Sequence, residues 1–387
     1  MFVITLIFIV FLFCFVGAPA LYLFYMKRFF AKPWQLKYNE QLVPNVTVIV
    51  PMHNEERVIQ LKMENLVKVS YPREKLQIII VNDGSTDDSV EKVKEFQKSN
   101  FNTNIQLLDN PGPRGKTNGL NFALHNSTGD IVVVSDADCF LGQETLRIAV
   151  KFLSDPSVGA VTGLERLLNY GETWVTQTEV MFNDIYQTIQ VGESKQYSTI
   201  IFQGGFAAYK RNMVSRFDEV ADDSGTALGV VQKGLRTLLV PEALYFTMSS
   251  KSFKGKFSTK LRRANSMLRT WLKCWSLFQK RKLLLPKQIF LPEFFLYFVN
   301  PFIFAFLLAS YGLLIFENQV FFLAILAILV VGVLISKVRR VFVETVQNQL
   351  YLLGAIFLFL FGRSFTLWKS EPRELVDREL LKSKNLI

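Results

Sequence analysis

Apolar residues are gathered in blocks along the chain, and the spacing within each block predicts a different kind of element. From Met1 to Met26 the sequence is almost unbroken apolar, and Lys27, Arg28, Lys32 and Lys37 follow within a few positions. About 20 such residues cross a bilayer as a helix, so residues 1–26 are expected to form a transmembrane helix. Ala18-Pro19-Ala20 has the small residues of a cleavage site, but a secretory signal peptide carries a basic start and a shorter apolar stretch. Basic residues after the span place the following domain on the cytoplasmic side.

From Asn45 the pattern changes to short β-branched runs, Val46 to Val50, Ile78 to Val81, Ile105 to Leu108 and Ile131 to Val134, separated by amphipathic stretches such as Glu55 to Val69 and Ser89 to Ser99. Continuous apolar strands alternating with helices predict an α/β domain over 45–250 with a mostly parallel sheet. Ligands of such sheets bind beyond the carboxyl ends of the strands.

Residues 251–288 follow a third pattern. Phe257, Leu261, Ala264, Leu268, Trp271, Trp275 and Phe278 recur at spacings of four and three, one stripe of a helix, while lysines and arginines occupy the other faces. Such a helix is expected to lie in the headgroup layer against an anionic lipid bilayer. A core helix with a solvated basic face and a nucleic-acid-binding helix fit the same pattern; the adjacent spans favour the membrane. Apolar segments at Ile289 to Phe316, Val320 to Ser336 and Leu350 to Phe361 then fill a block of membrane segments over 289–368, the third being short for a crossing. Lys337, Arg339 and Arg340 put the loop before the third inside. If all three cross, the charged tail at 369–387 ends outside; if the last is re-entrant, the tail stays cytoplasmic.

Composition sharpens this picture. Half of the 387 residues are hydrophobic, 36 of them Phe, and the formal charge of +11 traces to the acid-free stretch Lys251 to Lys287. An integral protein of the cell membrane with a cytoplasmic catalytic domain is expected, with no nucleic-acid partner. Cys14, Cys139 and Cys274 have no metal-ligand spacing, and only His53 and His125 exist, so carboxylates must carry any acid-base or metal chemistry.

The carboxylates sit where such sheets bind ligands. Pro51-Met52-His53-Asn54-Glu55-Glu56 follows the first strand, Asn82-Asp83-Gly84-Ser85-Thr86-Asp87 the second, and Ser135-Asp136-Ala137-Asp138 the fourth. Two carboxylates on alternate residues of an extended segment suit a hard divalent cation bridging a diphosphate. In order and spacing these clusters resemble glycosyltransferase family 2, from about Val46 to Tyr245.

The resemblance implies a GT-A-like nucleotide-binding sheet and an inverting, metal-dependent transfer from a UDP- or GDP-sugar to a lipid-linked or glycan acceptor. It places Pro51, Glu55, Asp83, Lys116 and Asp136 at the donor, with Asn121 near Lys116, and Asp136 and Asp138 on Mg²⁺ or Mn²⁺. Gly204, Gly205 and Phe206 match a small-residue segment at the acceptor. Asp222-Asp223 matches an acidic pair whose second member is the general base, with Asp222 and Asp218 as competitors and an N-cap of the helix Ser224 to Lys233 as the structural alternative. Processive members carry Gln-x-x-Arg-Trp; here Lys260-Leu261-Arg262-Arg263-Ala264 keeps the arginine alone, and Arg263 is a candidate contact to the donor diphosphate or to a lipid phosphate. Single transfer to a lipid-linked acceptor is preferred to chain extension. A nucleotide-sensing scaffold finds no charged pathway in its spans, and nucleotidyl transfer leaves Asp222-Asp223 without a task.

Overall fold

The structure, a computed structural model, describes residues 3–362 and 376–387, and only the backbone at 179–182. The chain divides into two units, a helical one made of 1–31, 170–192 and 251–364, and a sheet unit made of 32–169, 193–250 and 365–387.

Helix α1 (Val3–Phe30) runs beyond the expected 1–26 and takes Lys27 and Arg28 into its last turn, where cations suit the helix dipole. The sheet unit then alternates β1 (Val46–Met52), α2 (Ile59–Lys68), β2 (Leu76–Asn82), α3 (Ser89–Ser99), β3 (Ile105–Asp109), α4 (Lys116–His125) and β4 (Ile131–Val134). After β4 come β5 (Phe140–Leu141), α5 (Thr145–Leu153), β6 (Val158–Leu167), α6 (Trp174–Gln196), β7 (Ala207–Lys210), α7 (Ser224–Val231) and β8 (Arg236–Thr247).

The strands lie in the order β3-β2-β1-β4-β7-β6-β8-β5. Pairings among β1 to β4 are all parallel, as the apolar runs predict. The other half is mixed, with β7 antiparallel to β4 and β6, β5 antiparallel to β8, and β6 parallel to β8. In β1, Val48, Val50 and Met52 enter one core with Ile59 and Met63 of α2, while Ile49 enters the opposite core with Leu120 and Leu124 of α4. Both faces are covered, so the strand reads as continuously apolar instead of alternating. Each fully buried Val or Ile contributes about 1.5–3 kcal/mol.

In the helical unit, α8 (Phe253–Gln279), α9 (Lys287–Phe294), a π-helical turn (Phe295–Val299), α10 (Asn300–Glu317), α11 (Gln319–Leu334) and α12 (Ser336–Leu360) follow. Val3–Phe30, Lys287–Glu317 and Ser336–Leu360 are long and apolar enough to cross a membrane, which marks a membrane protein. Gln319–Leu334 is the short one, so the expectation of a spanning second segment and a short third is reversed in length. Lys337, Arg339, Arg340 and Glu344 interrupt the apolar run in the sequence, but the helix continues through them. Those basic residues therefore belong to α12 itself and not to a loop before it.

The middle of the apolar stripe of α8 is covered by protein. Ala264 and Leu268 pack on Ala355 and Ile356 of α12, and Trp271, fully buried, faces Phe290 and Tyr297. Trp275 stacks on Phe294 with ring centroids 4.6 Å apart. Trp271 is thus a core residue, in place of the expected headgroup-layer anchor, whereas Trp275 is only half-buried, and Phe257 and Phe278 at the two ends of the stripe are 47% and 36% exposed. Lys256 of the basic run is buried too, its Nζ 2.7 Å from Glu344 Oε2 with both side chains 1% exposed. Removing one partner of such a pair strands a buried charge. Glu344→Ala is expected to cost about 3–5 kcal/mol in a detergent unfolding titration, and the double replacement Lys256→Met with Glu344→Leu much less.

The C-terminal end carries α13 (Arg378–Ser383). Residues 363–375, which hold the end of the expected 289–368 block and the start of the 369–387 tail, lie outside the described residues. The remainder of that tail is folded onto the sheet unit: Leu381 and Leu386 are buried with Leu61, Phe140 and Leu168.

Candidate active site

Because β1, β2, β3 and β4 run parallel, the polar clusters after them emerge on one edge of the sheet. Met52 lies opposite Asn82, Asn82 opposite Asp109, and Ser135 N donates to Ile49 O at 3.0 Å.

The first two clusters are laced together. Asn54 takes a left-handed φ of 56°, which an amide side chain tolerates. Its N–H donates to Ser85 Oγ at 3.0 Å, and its Oδ1 accepts from Thr86 N at 2.8 Å. The buried Glu55 donates its N–H to Ser89 Oγ at 2.7 Å. Pro51 is a buried strand residue opposite Val81, so it shapes β1 and leaves the edge to residues 53–55.

Asp83 holds the loop ahead of α4. Its Oδ1 accepts from Asn110 Nδ2 at 2.8 Å and its Oδ2 from Gly115 N at 2.7 Å. Gly84 (φ 75°) leaves room for the Arg114 guanidinium, which a Cβ would meet at 2.9 Å. Both contacts fix where α4 begins, and Lys116 is its first residue.

Lys116 joins two of the predicted acidic groups. Its Nζ lies 2.9 Å from Asp136 Oδ1 and 2.9 Å from Asp222 Oδ2. Burial works against the ammonium, but Asp136 and Asp222 outweigh it and raise the lysine above its ordinary range. Lys116 is therefore not a solvated loop lysine. Gly204 closes in from the opposite side: a Cβ there would come 3.0 Å from Asp136 Oδ2 and 3.1 Å from Lys116 Nζ.

Ligand atoms of Asp136, Asp138 and Cys139 lie within 4.8 Å of one another. Burial, then Asp138 and Asp136, pushes the Cys139 thiol well up, and its Sγ donates to Asp138 Oδ1 at 3.6 Å. A protonated thiol is a poor ligand, so the donor set is two carboxylates, which fits a hard cation such as Mg²⁺ or Mn²⁺.

The acidic pair follows. Asp218 is occupied structurally, its Oδ1 accepting from Val220 N at 3.0 Å and Ala221 N at 3.2 Å, and Asp222 is paired to Lys116. Asp223 caps α7, its Oδ1 accepting from Ser224 N at 2.5 Å, which leaves Oδ2 to take a proton. The cap and a general base are therefore compatible roles of one side chain. Burial and the neighbouring Asp222 push the Asp223 carboxyl up from 3.8 to about 6, against the pull of Lys116 and the Ser224 N–H. A base with an affinity for protons near neutrality is what proton transfer favours.

Other expected residues serve the scaffold. Phe206 is fully buried in the core, and the Tyr245 ring lies where a Cβ on Gly205 would stand, at 2.2 Å. Of the three expected acceptor residues only Gly204 borders the carboxylates. Asn121 accepts from Phe217 N at 2.8 Å and so holds the loop leading to Asp222. Arg263 is exposed on α8, in the helical unit.

Sequence reasoning missed Lys62 and Asn65 of α2. Lys62 is fully buried, and its Nζ donates to Ser135 Oγ at 2.7 Å and to Cys139 O, one contact on each side of Asp136-Ala137-Asp138. Burial lowers it from 10.5 to about 8, opposed by Cys139, Asp136 and Asp138. A lysine among the apolar positions Ile59, Met63 and Leu66 was the available signal.

Comparison with known proteins accords with this arrangement. A family profile described as Glycosyl transferase family 2 matches residues 47–217. The protein named "Probable glycosyltransferase YdaM", from Bacillus subtilis (strain 168), is 28% identical over 272 residues, 67% of this chain and 63% of that protein. Poly-beta-1,6-N-acetyl-D-glucosamine synthase from Staphylococcus aureus (strain COL) is 24% identical over 230 residues, 58% of this chain and 55% of that one. The match spans less than two thirds of either relative. Among solved structures, Mannosyltransferase PcManGT from Pyrobaculum calidifontis, in complex with GDP-Man and Mn²⁺, superposes with a TM-score of 0.80 at 30% identity, over 94% of this chain and 100% of that one. With Asp136 and Asp222 both paired to Lys116, and a relative alike over nearly its whole length, the chain belongs to glycosyltransferase family 2 and is a membrane glycosyltransferase with a GT-A fold.

Proposed function

We propose that this glycosyltransferase moves one sugar, with inversion, from a UDP- or GDP-sugar to a lipid-linked acceptor at the cytoplasmic face of the cell membrane. The observation that carries the reading is the double ion pair of Lys116, which brings the cation-type carboxylate Asp136 within one ammonium of the pair that holds the base. Inverting transfer needs no covalent nucleophile, only a carboxylate to take the acceptor hydroxyl's proton as it attacks the anomeric carbon. Asp223 takes that proton on Oδ2. Asp222 stays paired with Lys116 and keeps the Asp223 carboxyl basic. Mg²⁺ or Mn²⁺, when bound by Asp136 and Asp138, offsets the charge of the departing diphosphate.

Glu55 and Asp83 frame the donor side, Lys116 faces its phosphates, and Gly204 leaves room for the sugars. The exposed Lys254, Arg262, Arg263 and Lys273 of α8 support attraction to an anionic lipid surface. The solved relative of matching length binds GDP-Man, which makes that donor the first to test.

Chain extension is the second reading, favoured by the polymer-synthase relative. Against it, Lys260 and Ala264 stand where processive members carry Gln and Trp. Labelled GDP-mannose and UDP-N-acetylglucosamine, incubated with the detergent-solubilised chain, lipid extract and Mn²⁺, separate the readings. An organic-extractable product carrying one sugar is expected. A long insoluble polymer would replace the first reading by the second, and no release of nucleoside diphosphate from any nucleotide sugar would remove both.

A further inference from the structure

One face of α2 touches both ends of the Asp136-Ala137-Asp138 segment and also the chain's C-terminal end. Lys62 grips Ser135 before the segment and Cys139 after it. One turn on, Asn65 exchanges two hydrogen bonds with Leu141 of β5, Nδ2 to O and Oδ1 from N, both at 2.8 Å. The same Asn65 Nδ2 donates to Leu386 O at 2.7 Å. Asn65 is 1% exposed, so with the tail docked its amide is satisfied by protein partners alone.

The tail is built to stay. Asp377 caps α13 by accepting from Glu379 N at 3.1 Å. At the other end Asn385 takes a left-handed φ of 56°, Asn385 N donates to Lys382 O at 2.9 Å, and Leu386 N donates to Leu381 O at 2.9 Å. That pair of bonds is the Schellman ending, which folds the following apolar residue back onto the helix. Leu386 and Leu381 thereby enter one cluster with Phe140 of β5 and Leu61 of α2. Gln143 Nε2 donates to Asn385 O at 3.1 Å, a further tie between the tail and the segment that follows β5.

We propose that residues 376–387 are a strap that positions the carboxylates of Asp136 and Asp138 through α2, with Lys62 and Asn65 as positioning residues. The proposal rests on the reading of those carboxylates as cation ligands. A segment held at Ser135, Cys139 and Leu141 presents both carboxylates in one arrangement; without the strap, Asn65 and Phe140 lose their cover and the segment loosens. Partners that orient metal ligands without touching the metal are worth about 10- to 100-fold in affinity.

The test uses the full chain in detergent, with Mn²⁺ binding followed by EPR in the presence of GDP and of UDP. Asp138→Ala serves as the reference without a site. A chain ending at Leu375, and separately Asn65→Ala and Leu386→Ala, are expected to weaken Mn²⁺ about 10-fold or more, while metal-free nucleotide binding stays within about twofold. Lys62→Arg is expected to retain more affinity than Lys62→Met. Melting curves identify a variant that fails to fold, in which case the point variants decide. Wild-type Mn²⁺ affinity in a folded Asn65→Ala or tail-deleted chain overturns the strap. Equal Mn²⁺ binding by the wild type and Asp138→Ala overturns instead the cation reading beneath it.

Discussion

Asp223→Asn is expected to lower turnover by about 10²- to 10⁴-fold, the usual worth of a general base, while leaving donor binding and the fold in place. An asparagine oxygen can still accept from Ser224 N, so the cap on α7 survives; what is lost is the capacity to take a proton. In the wild type, turnover at saturating donor should rise with pH through about 6, because the carboxylate must be ionised to act. The linkage to stability has the opposite sign. A carboxyl raised from 3.8 to about 6 in the folded state contributes stability that is full below its ordinary value and lost as pH rises through about 6. At neutral pH the asparagine variant should therefore melt no lower than the wild type. Initial rates and melting curves across about pH 5 to 8 check both halves, and a variant with wild-type turnover would remove Asp223 from the reaction.

Asp138→Ala is expected to bring turnover to background, about 10³-fold or more below wild type, given the several kcal/mol that a bound cation supplies to a departing phosphate. Added Mn²⁺ should not restore it. Lys116, Asp136 and Asp222 keep their ion pairs in this variant, so the melting temperature is expected to hold. Asp136→Ala should lose turnover too and destabilise the chain as well, because it leaves Lys116 with Asp222 alone. The two melting curves separate a ligand from a ligand that also neutralises a partly buried lysine. Substantial activity in Asp138→Ala would show that the cation is held elsewhere.

The sequence revealed the parallel half of the sheet because Val46 to Val50 and Ile78 to Val81 are buried on both faces, and such strands leave unbroken apolar runs. Strands β6 to β8 were less legible, since their neighbours are set by contacts far apart in the chain and their runs include polar residues such as Thr162, Glu165 and Arg166. Polarity also hid α12, whose first half carries Lys337, Arg339, Arg340 and Glu344; a charge neutralised by a partner 88 residues away leaves no trace in local hydropathy. The site divides in the same way. Asp83, Lys116, Asp136, Asp138 and Asp223 stood at strand ends or helix starts, where chemistry is expected. Phe206 and Asp218 had suitable neighbours in sequence, but their side chains turn into the core and onto the backbone. Lys62, Asn65 and the tail became visible only when three distant segments met.

The docked tail also constrains how the polypeptide is threaded. Residues 376–387 and strands β1 to β8 share one folded body, so they must occupy the same compartment. An even number of traverses between Lys251 and Val376, none or two, is therefore expected, and three would part the tail from the sheet it packs on. A reporter fused after Ile387 would accordingly share the protease and label accessibility of the sheet.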